Sequence, residues 1–174
     1  LDLKEKKNAE KGSLIRSFDI IGITMTGLAS NQGIISAARS KVLILEEAAE
    51  ILETHILSAI STTIEHLVLI GDHKQLRPSV NMYKLQSDSR KGYNLDRSLF
   101  ERLVEDRDAD NAVLTTQYRM RPEFSELIKR TIYPNLKNAT LTMEYPACIR
   151  GMDDYLFFWD HQVREDSCNK EMIT

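Results

Sequence analysis

Leu67-Val-Leu-Ile-Gly-Asp-His-Lys-Gln-Leu-Arg-Pro78 reads as a strand that runs straight into a polar cluster. The apolar residues Leu67 to Ile70 favour a pleated, buried setting, and Gly71-Asp72 breaks the run. A buried strand of a parallel sheet takes this form when it delivers polar side chains to its carboxyl edge, where open α/β sheets bind ligands. Such a strand has no structural need for Asp72, Lys74, Gln75 and Arg77 so close to its end. Their chemistry points to a charged ligand, with phosphate the first candidate.

Working outward, similar signals recur on both sides. Upstream, Phe18 to Thr24 and Val42 to Leu45 read as strands, and residues 48–60 read as a helix with Ile51, Leu52, His55, Ile56 and Ala59 on one side. The Lys/Glu-rich residues 1–13 lack an apolar period and read as a linker or a solvated helix end. Downstream, a polar loop spans residues 84–95. Asp96 then precedes an amphipathic helix carrying Leu99, Phe100, Leu103 and Val104. Ala112 to Thr115 reads as a strand, Pro122 opens a helix to about Thr131, and Tyr155 to Trp159 reads as a last, aromatic strand. Strands alternating with helices imply an α/β fold with a mostly parallel sheet flanked by helices.

Composition narrows the function classes. The 174 residues are 42% hydrophobic and 28% charged, ordinary for a globular domain with a real core. A net charge of -3 provides no global basic field, so any nucleic-acid site must be local. Cys148 and Cys168 stand alone, without zinc-site spacing, and fit a reducing compartment. No apolar run reaches membrane-spanning length and no secretory segment opens the chain, which implies a nuclear or cytoplasmic protein with no membrane partner. The first residue is Leu rather than Met, as expected of a piece of a longer protein.

Three strand ends carry the chemistry. After Val42 to Leu45 come Glu46 and Glu47, adjacent carboxylates of the kind that hold Mg²⁺ and orient a water. The plainer alternative is a helix start, where the macrodipole favours acidic residues by about 0.3–1 kcal/mol. In the second cluster Asp72 suits a metal shell, and Gln75 suits a terminal phosphate because an amide donates and accepts without changing charge. A tight turn between Gly71 and Pro78 is the alternative. The third is Thr115-Thr-Gln-Tyr-Arg-Met-Arg-Pro122. There Gln117 and Tyr118 suit a base edge and base stacking, and Arg119 presents a fork of donors matching phosphate oxygens. An ordinary strand-to-helix turn is its alternative. Three such clusters in this order favour a shared ligand over separate accidents.

Glu46-Glu47-Ala48-Ala49-Glu50, Gly71 to Pro78 and Gln117-Tyr118-Arg119-Met120 resemble motifs II, III and IV of superfamily 1 helicases. The likeness is to the up-frameshift-type RNA helicases, and within them to the zinc-finger-bearing helicases of the nuclear-transcription-factor-X-box type. Ser98 to Val104 is similar to a helix of this branch, and the resemblance runs from about Asp19 to His161. It implies a partial RecA-like P-loop NTPase domain, with ATP and Mg²⁺ as cofactors and single-stranded RNA, or DNA, as partner. By that resemblance Glu46 anchors Mg²⁺ through water, Glu47 is the general base, and Gln75 contacts the γ-phosphate with Asp72 supporting the metal shell. Gln117 and Tyr118 would bind the nucleotide, Tyr118 by stacking on adenine, and Arg119 would reach the γ-phosphate. Thr24, Thr26 and Gly27 resemble the segment that touches the nucleic-acid backbone; a strand end followed by a glycine turn is the alternative. Glu46 departs from the family's usual Asp by one methylene, which implies altered tuning of the metal contact.

No Gly-x-x-x-x-Gly-Lys-Ser/Thr occurs, and none of the seven glycines precedes a Lys-Thr or Lys-Ser pair. The domain expectation is therefore a charged linker or helix end at 1–17, the carboxyl-side part of a first RecA-like domain at 18–154, and the start of a second at 155–174. The functional expectation is a fragment, inactive alone, of an ATP-dependent RNA helicase or RNA-protein remodeller. The resemblance implies a setting in RNA silencing, heterochromatin or antiviral RNA control, with RNA-silencing machinery as partner. The alternatives are a DNA-directed superfamily 1 helicase and a scaffold that keeps the fold without turnover.

Overall fold

The computed structural model describes residues 3–107, 109–144, 150–152 and 154–163. They belong to two compact units, Leu1–Asn111 and Ala112–Thr174. In the first unit the Lys/Glu-rich opening takes the helical of its two expected forms. It forms α1 (Leu3–Ile15), followed by α2 (Met25–Ser30) and α3 (Gln32–Ala38). Helix α1 packs on α3 at Gly12, where a Cβ would collide with that of Ala37. Glycine is the residue that lets the two backbones approach so closely.

The strand expected over Phe18 to Thr24 is absent: residues 20–24 have no regular structure, and Phe18 and Ile20 are exposed. The β-propensity of Ile20, Ile21 and Ile23 has effect only beside a pairing strand. Here the chain turns instead into α2, whose N-cap is Thr24. Strands β1 (Val42–Leu45) and β2 (His66–Leu69) do form and pair in parallel, in the register Val42↔His66 to Leu45↔Leu69. Leu43, Leu45 and Leu69 face the core, while Val42, Ile44 and Val68 are exposed. The expected burial of β2 is met only at Leu69, which is part-buried against the core, while His66, Leu67 and Val68 are exposed.

Residues 48–60 form two pieces rather than one helix, a 3-10 turn at Ala48–Glu50 and α4 (Glu53–Ala59). Glu47 is left-handed (φ 53°) and Ile51 extended, so the helix must restart after a break. Of the face read from the sequence, Ile56 is fully buried and Ala59 buried, whereas His55 is exposed. Leu45, Ala48, Ile56 and Leu99 make the core, with Met25, Leu43, Ile51, Leu69, Phe100 and Leu103 against it. Fully burying a side chain such as Ile56 contributes about 1.5–3 kcal/mol.

Within the expected polar loop lie two 3-10 turns, Tyr83–Leu85 and Ser87–Ser89. Helix α5 (Leu99–Asp106) follows, capped by Ser98 rather than started by Asp96. Ser98 Oγ accepts the Glu101 N–H at 3.1 Å, the usual N-cap bond.

The second unit holds β3 (Thr116–Gln117), α6 (Pro122–Thr131) and β4 (Lys137–Asn138). The strand expected at Ala112 to Thr115 is displaced: Val113 and Leu114 are exposed, and pairing begins where Thr115 O accepts Lys137 N–H. Helix α6 has the expected bounds, with Pro122 in its first turn and Lys129 and Arg130 in its last. Those cations suit the carbonyl end of the helix dipole. The aromatic strand expected at Tyr155 to Trp159 does not form, and Leu156 to Trp159 are exposed without a pairing neighbour among the described residues. Cys148 and Cys168 lie outside the described residues. Both pairings are parallel, and the fold is α/β, with two strands in each sheet among the described residues.

Candidate functional site

The first unit brings two of the three polar clusters side by side. Because β1 and β2 are parallel neighbours, their carboxyl ends emerge together. The ladder continues past both strands, with Ile70 N–H donating to Leu45 O and Ala48 N–H to Ile70 O, each at 2.8 Å. Gly71 then lies against the opposite backbone, where a Cβ would stand 2.9 Å from Ala49 N and 3.1 Å from Ala48 N. Only a residue without a side chain lets the Glu46–Ala49 segment and the Gly71–Gln75 loop run so close. Glu46 and Glu47 are exposed at this edge. Left-handed φ at a glutamate costs about 1–2 kcal/mol, and such strain recurs at functional sites.

Asp72 organises the loop that follows. Its Oδ1 accepts the Lys74 N–H at 3.0 Å, its Oδ2 accepts Gln75 Nε2 at 2.9 Å, and its carbonyl accepts Gln75 N–H. Gln75 is exposed but turned inward onto Asp72. Arg77 is not part of an anion-attracting cluster, as the sequence suggested. Its Nη2 donates to Glu101 Oε1 at 2.7 Å, and Glu101 is only 3% exposed. Arg97 Nε lies 3.4 Å from the same oxygen. Asp96, also buried, accepts from Ser87 N–H (2.6 Å) and Ser87 Oγ (2.7 Å) and has Arg77 at 3.9 Å. Burial pushes the Asp96 carboxyl up, but the Ser87 bonds and Arg77 outweigh it and hold the carboxyl below its ordinary range. Glu101 carries no local signal in the sequence, because its partner Arg77 lies 24 residues away.

The third cluster lies in the second unit. Tyr118, 66% exposed, and Arg119 stand on the turn between β3 and α6. Gln117 holds that turn from inside. Its Oε1 accepts the N–H of Arg119 (2.8 Å) and of Met120 (2.7 Å), and its Nε2 donates to Met120 O (2.7 Å) and Asn138 Oδ1 (2.8 Å). Fully buried Ser125 places its Oγ 2.7 Å from the same Asn138 oxygen. Arg121, the other arginine of the cluster, sits 3.5 Å over the Tyr155 ring and 3.5 Å from Glu123, which leaves Arg119 as the exposed one. Asn138 was missed from sequence, since a two-residue strand has no detectable period.

The nucleic-acid candidates form a separate group at the start of α2. Thr24 Oγ1 accepts the Gly27 N–H at 3.1 Å, so Thr24, Thr26 and Gly27 make a capped helix start rather than a strand end.

Hard oxygen donors at the β1–β2 edge fit Mg²⁺, which uses one or two carboxylates and fills its other positions with water and phosphate. Among the described residues no group of three or more His, Cys, Asp or Glu side chains is arranged to hold a metal. Glu46 and Asp72 supply hard oxygen donors at this edge. Two family profiles match the chain, each described as an AAA domain, over residues 2–82 and 95–172. NFX1-type zinc finger-containing protein 1 of Mus musculus is 39% identical over 163 residues, 94% of this chain and 8% of that protein. Helicase required for RNAi-mediated heterochromatin assembly 1 of Schizosaccharomyces pombe is 40% identical over 161 residues, 92% of this chain and 16% of that protein. Regulator of nonsense transcripts 1 of Caenorhabditis elegans is 32% identical over 127 residues, 73% of this chain and 11% of that protein. The chain thus spans a sixth or less of the length of these relatives.

Proposed function

Given that the chain belongs to the superfamily 1 helicases of the up-frameshift-type branch, we propose that it forms part of the ATP-hydrolysing machinery of an RNA helicase or RNA-protein remodeller. The observation that carries this reading is the parallel β1–β2 pair, which delivers Glu46-Glu47 and Gly71 to Gln75 side by side at one sheet edge. That is the edge at which α/β sheets bind ligands.

Glu47 takes the proton from the attacking water, and Glu46, through water, would hold Mg²⁺ with support from Asp72. Mg²⁺, when bound, offsets the charge of the β- and γ-phosphates. Gln75 exchanges its bond to Asp72 for the terminal phosphate and so responds to whether that phosphate is present. Tyr118 stacks on the base, and Arg119 meets the terminal phosphate. Thr24, Thr26 and Gly27 contact the nucleic-acid backbone. Residues 18–154 belong in this reading to a first RecA-like domain and residues 155–174 to the start of a second. The S. pombe relative's name, which speaks of RNAi-mediated heterochromatin assembly, supports RNA silencing as the setting; RNA-silencing machinery as partner and a nuclear or cytoplasmic location belong to the same proposal.

The test is ATP hydrolysis by the full-length protein that carries this chain, with single-stranded RNA, with single-stranded DNA and with neither. RNA-stimulated turnover that falls at least about a hundredfold in Glu47→Gln, the low end for losing a general base, is expected. Stimulation by DNA alone would redirect the motor to DNA. No turnover in a folded, RNA-binding protein would reduce it to a scaffold.

A further inference from the structure

We propose that Asn138, acting through Gln117, is the positioning residue that holds the Tyr118–Arg119 turn in shape, and that Gln117 does not read the nucleotide's base. The proposal rests on the nucleotide reading above and deepens it. Its starting point is register: β3 and β4 are parallel, with Gln117 directly opposite Asn138. Both backbones are tied there, Lys137 N–H to Thr115 O at 2.7 Å and Ala139 N–H to Gln117 O at 3.0 Å.

A glutamine amide has two hydrogens and two oxygen lone pairs. In Gln117 all four are engaged, at 2.7–2.8 Å. The orientation of the amide follows from its partners, because two backbone N–H groups face the oxygen and the Met120 carbonyl faces the nitrogen. Toward Met120 the side chain behaves as a strand does toward its neighbour, taking the N–H and giving to the C=O. A base edge would have to displace one of these bonds and leave a partly buried polar group unpaired, which is unfavourable. Asn138 supplies the one anchor outside the turn. Its Oδ1 receives Gln117 Nε2 at 2.8 Å and has the buried Ser125 Oγ at 2.7 Å, so β3, β4 and α6 meet at a single oxygen. Loss of that oxygen frees Gln117 to move, and Tyr118 and Arg119 move with it. Misplaced stacking and phosphate groups slow every nucleotide by the same factor, whereas a lost base reader changes the preference among them.

The test measures kcat and KM for ATP, GTP, CTP and UTP on the full-length protein, comparing wild type with Asn138→Leu, Asn138→Asp, Gln117→Leu and the Asn138→Leu/Gln117→Leu pair. Asn138→Leu is expected to lower kcat/KM for all four nucleotides by a shared factor of about ten or more. Asn138→Asp restores it, since a carboxylate oxygen accepts the same bonds, and the pair is no worse than the worse single change. If Gln117→Leu alters the ATP-to-GTP ratio while Asn138→Leu leaves it intact, Gln117 is a base reader and the proposal fails. A second readout needs no turnover: amide exchange on the 174-residue chain. The Arg119 and Met120 N–H groups should lose protection in Asn138→Leu and regain it in Asn138→Asp. Unchanged protection in Asn138→Leu overturns the clamp even if the protein hydrolyses ATP; lost protection without ATP turnover sustains it while the nucleotide reading fails.

Discussion

Glu47 carries opposing demands on one residue. Its backbone is left-handed, a conformation that disfavours a side chain with a Cβ, yet the turn it makes brings Ala48 and Ala49 against Gly71. Glycine adopts that conformation freely but gives back part of the gain through the entropy of the unfolded chain. Glu47→Gly is therefore expected to stabilise the first unit by about 0.5–1 kcal/mol, while Glu47→Gln stays within about 0.5 kcal/mol of wild type. Urea midpoints of the two variants against wild type decide this, and a less stable Glu47→Gly would show that the left-handed turn carries no strain. A stabilised Glu47→Gly that has also lost turnover would show that stability and activity are traded at this residue. The carboxylate pair was legible in sequence because a run of aliphatic residues stopped at it. The left-handed turn was not, since Glu is an improbable residue for it and the constraint comes from Gly71, 24 positions away.

Helix α5 is the element to which the loops of the first unit are fastened. Arg77 ties the strand-end loop to Glu101, and Asp96, just before the helix, ties the Ser87–Ser89 turn. Asp96 has a lowered folded value against an ordinary Asp value of about 3.9. Its contribution is therefore fully present above the unfolded value and is lost as pH falls through the folded one. Ser87→Ala removes the hydroxyl donor and keeps the backbone one, so the acid limb of the stability profile should move to higher pH. The expected cost at pH 7 is about 1.5 kcal/mol, the low end for a hydrogen bond to a charged group. Urea midpoints from pH 3 to 7 measure it, and superimposable profiles would refute it. Elements were legible wherever their signal was local. Apolar residues before a polar break marked β1 and β2, and Pro122 marked α6. Phe18 to Thr24, Ala112 to Thr115 and Tyr155 to Trp159 carry the same strand propensity and form no strand, because a strand needs a partner that its own residues do not specify. Arg77–Glu101 and Gln117–Asn138 were hidden for the same reason, each pair being joined only by the fold.

At the scale of the whole chain, the question is what these residues can do alone. Among the described residues no helix is long and apolar enough to cross a membrane, and the net charge is -3, so any nucleic acid would have to meet local groups rather than a basic field. On the function proposed above, the chain supplies a general base in Glu47, a phosphate-sensing amide in Gln75 and an arginine in Arg119, but its sequence holds no Gly-x-x-x-x-Gly-Lys-Ser/Thr loop to cradle the β- and γ-phosphates. Phosphoryl transfer depends on positioning and charge stabilisation more than on covalent chemistry, and that loop provides much of both. The 174-residue chain should therefore release phosphate from Mg-ATP no faster than its Glu47→Gln variant, with or without single-stranded RNA. Parallel phosphate-release assays on the two purified proteins decide it. A rate in the chain that disappears in the variant would mean that Glu47, Gln75 and Arg119 orient ATP without the loop. The residues of this chain would then be sufficient for turnover without that loop.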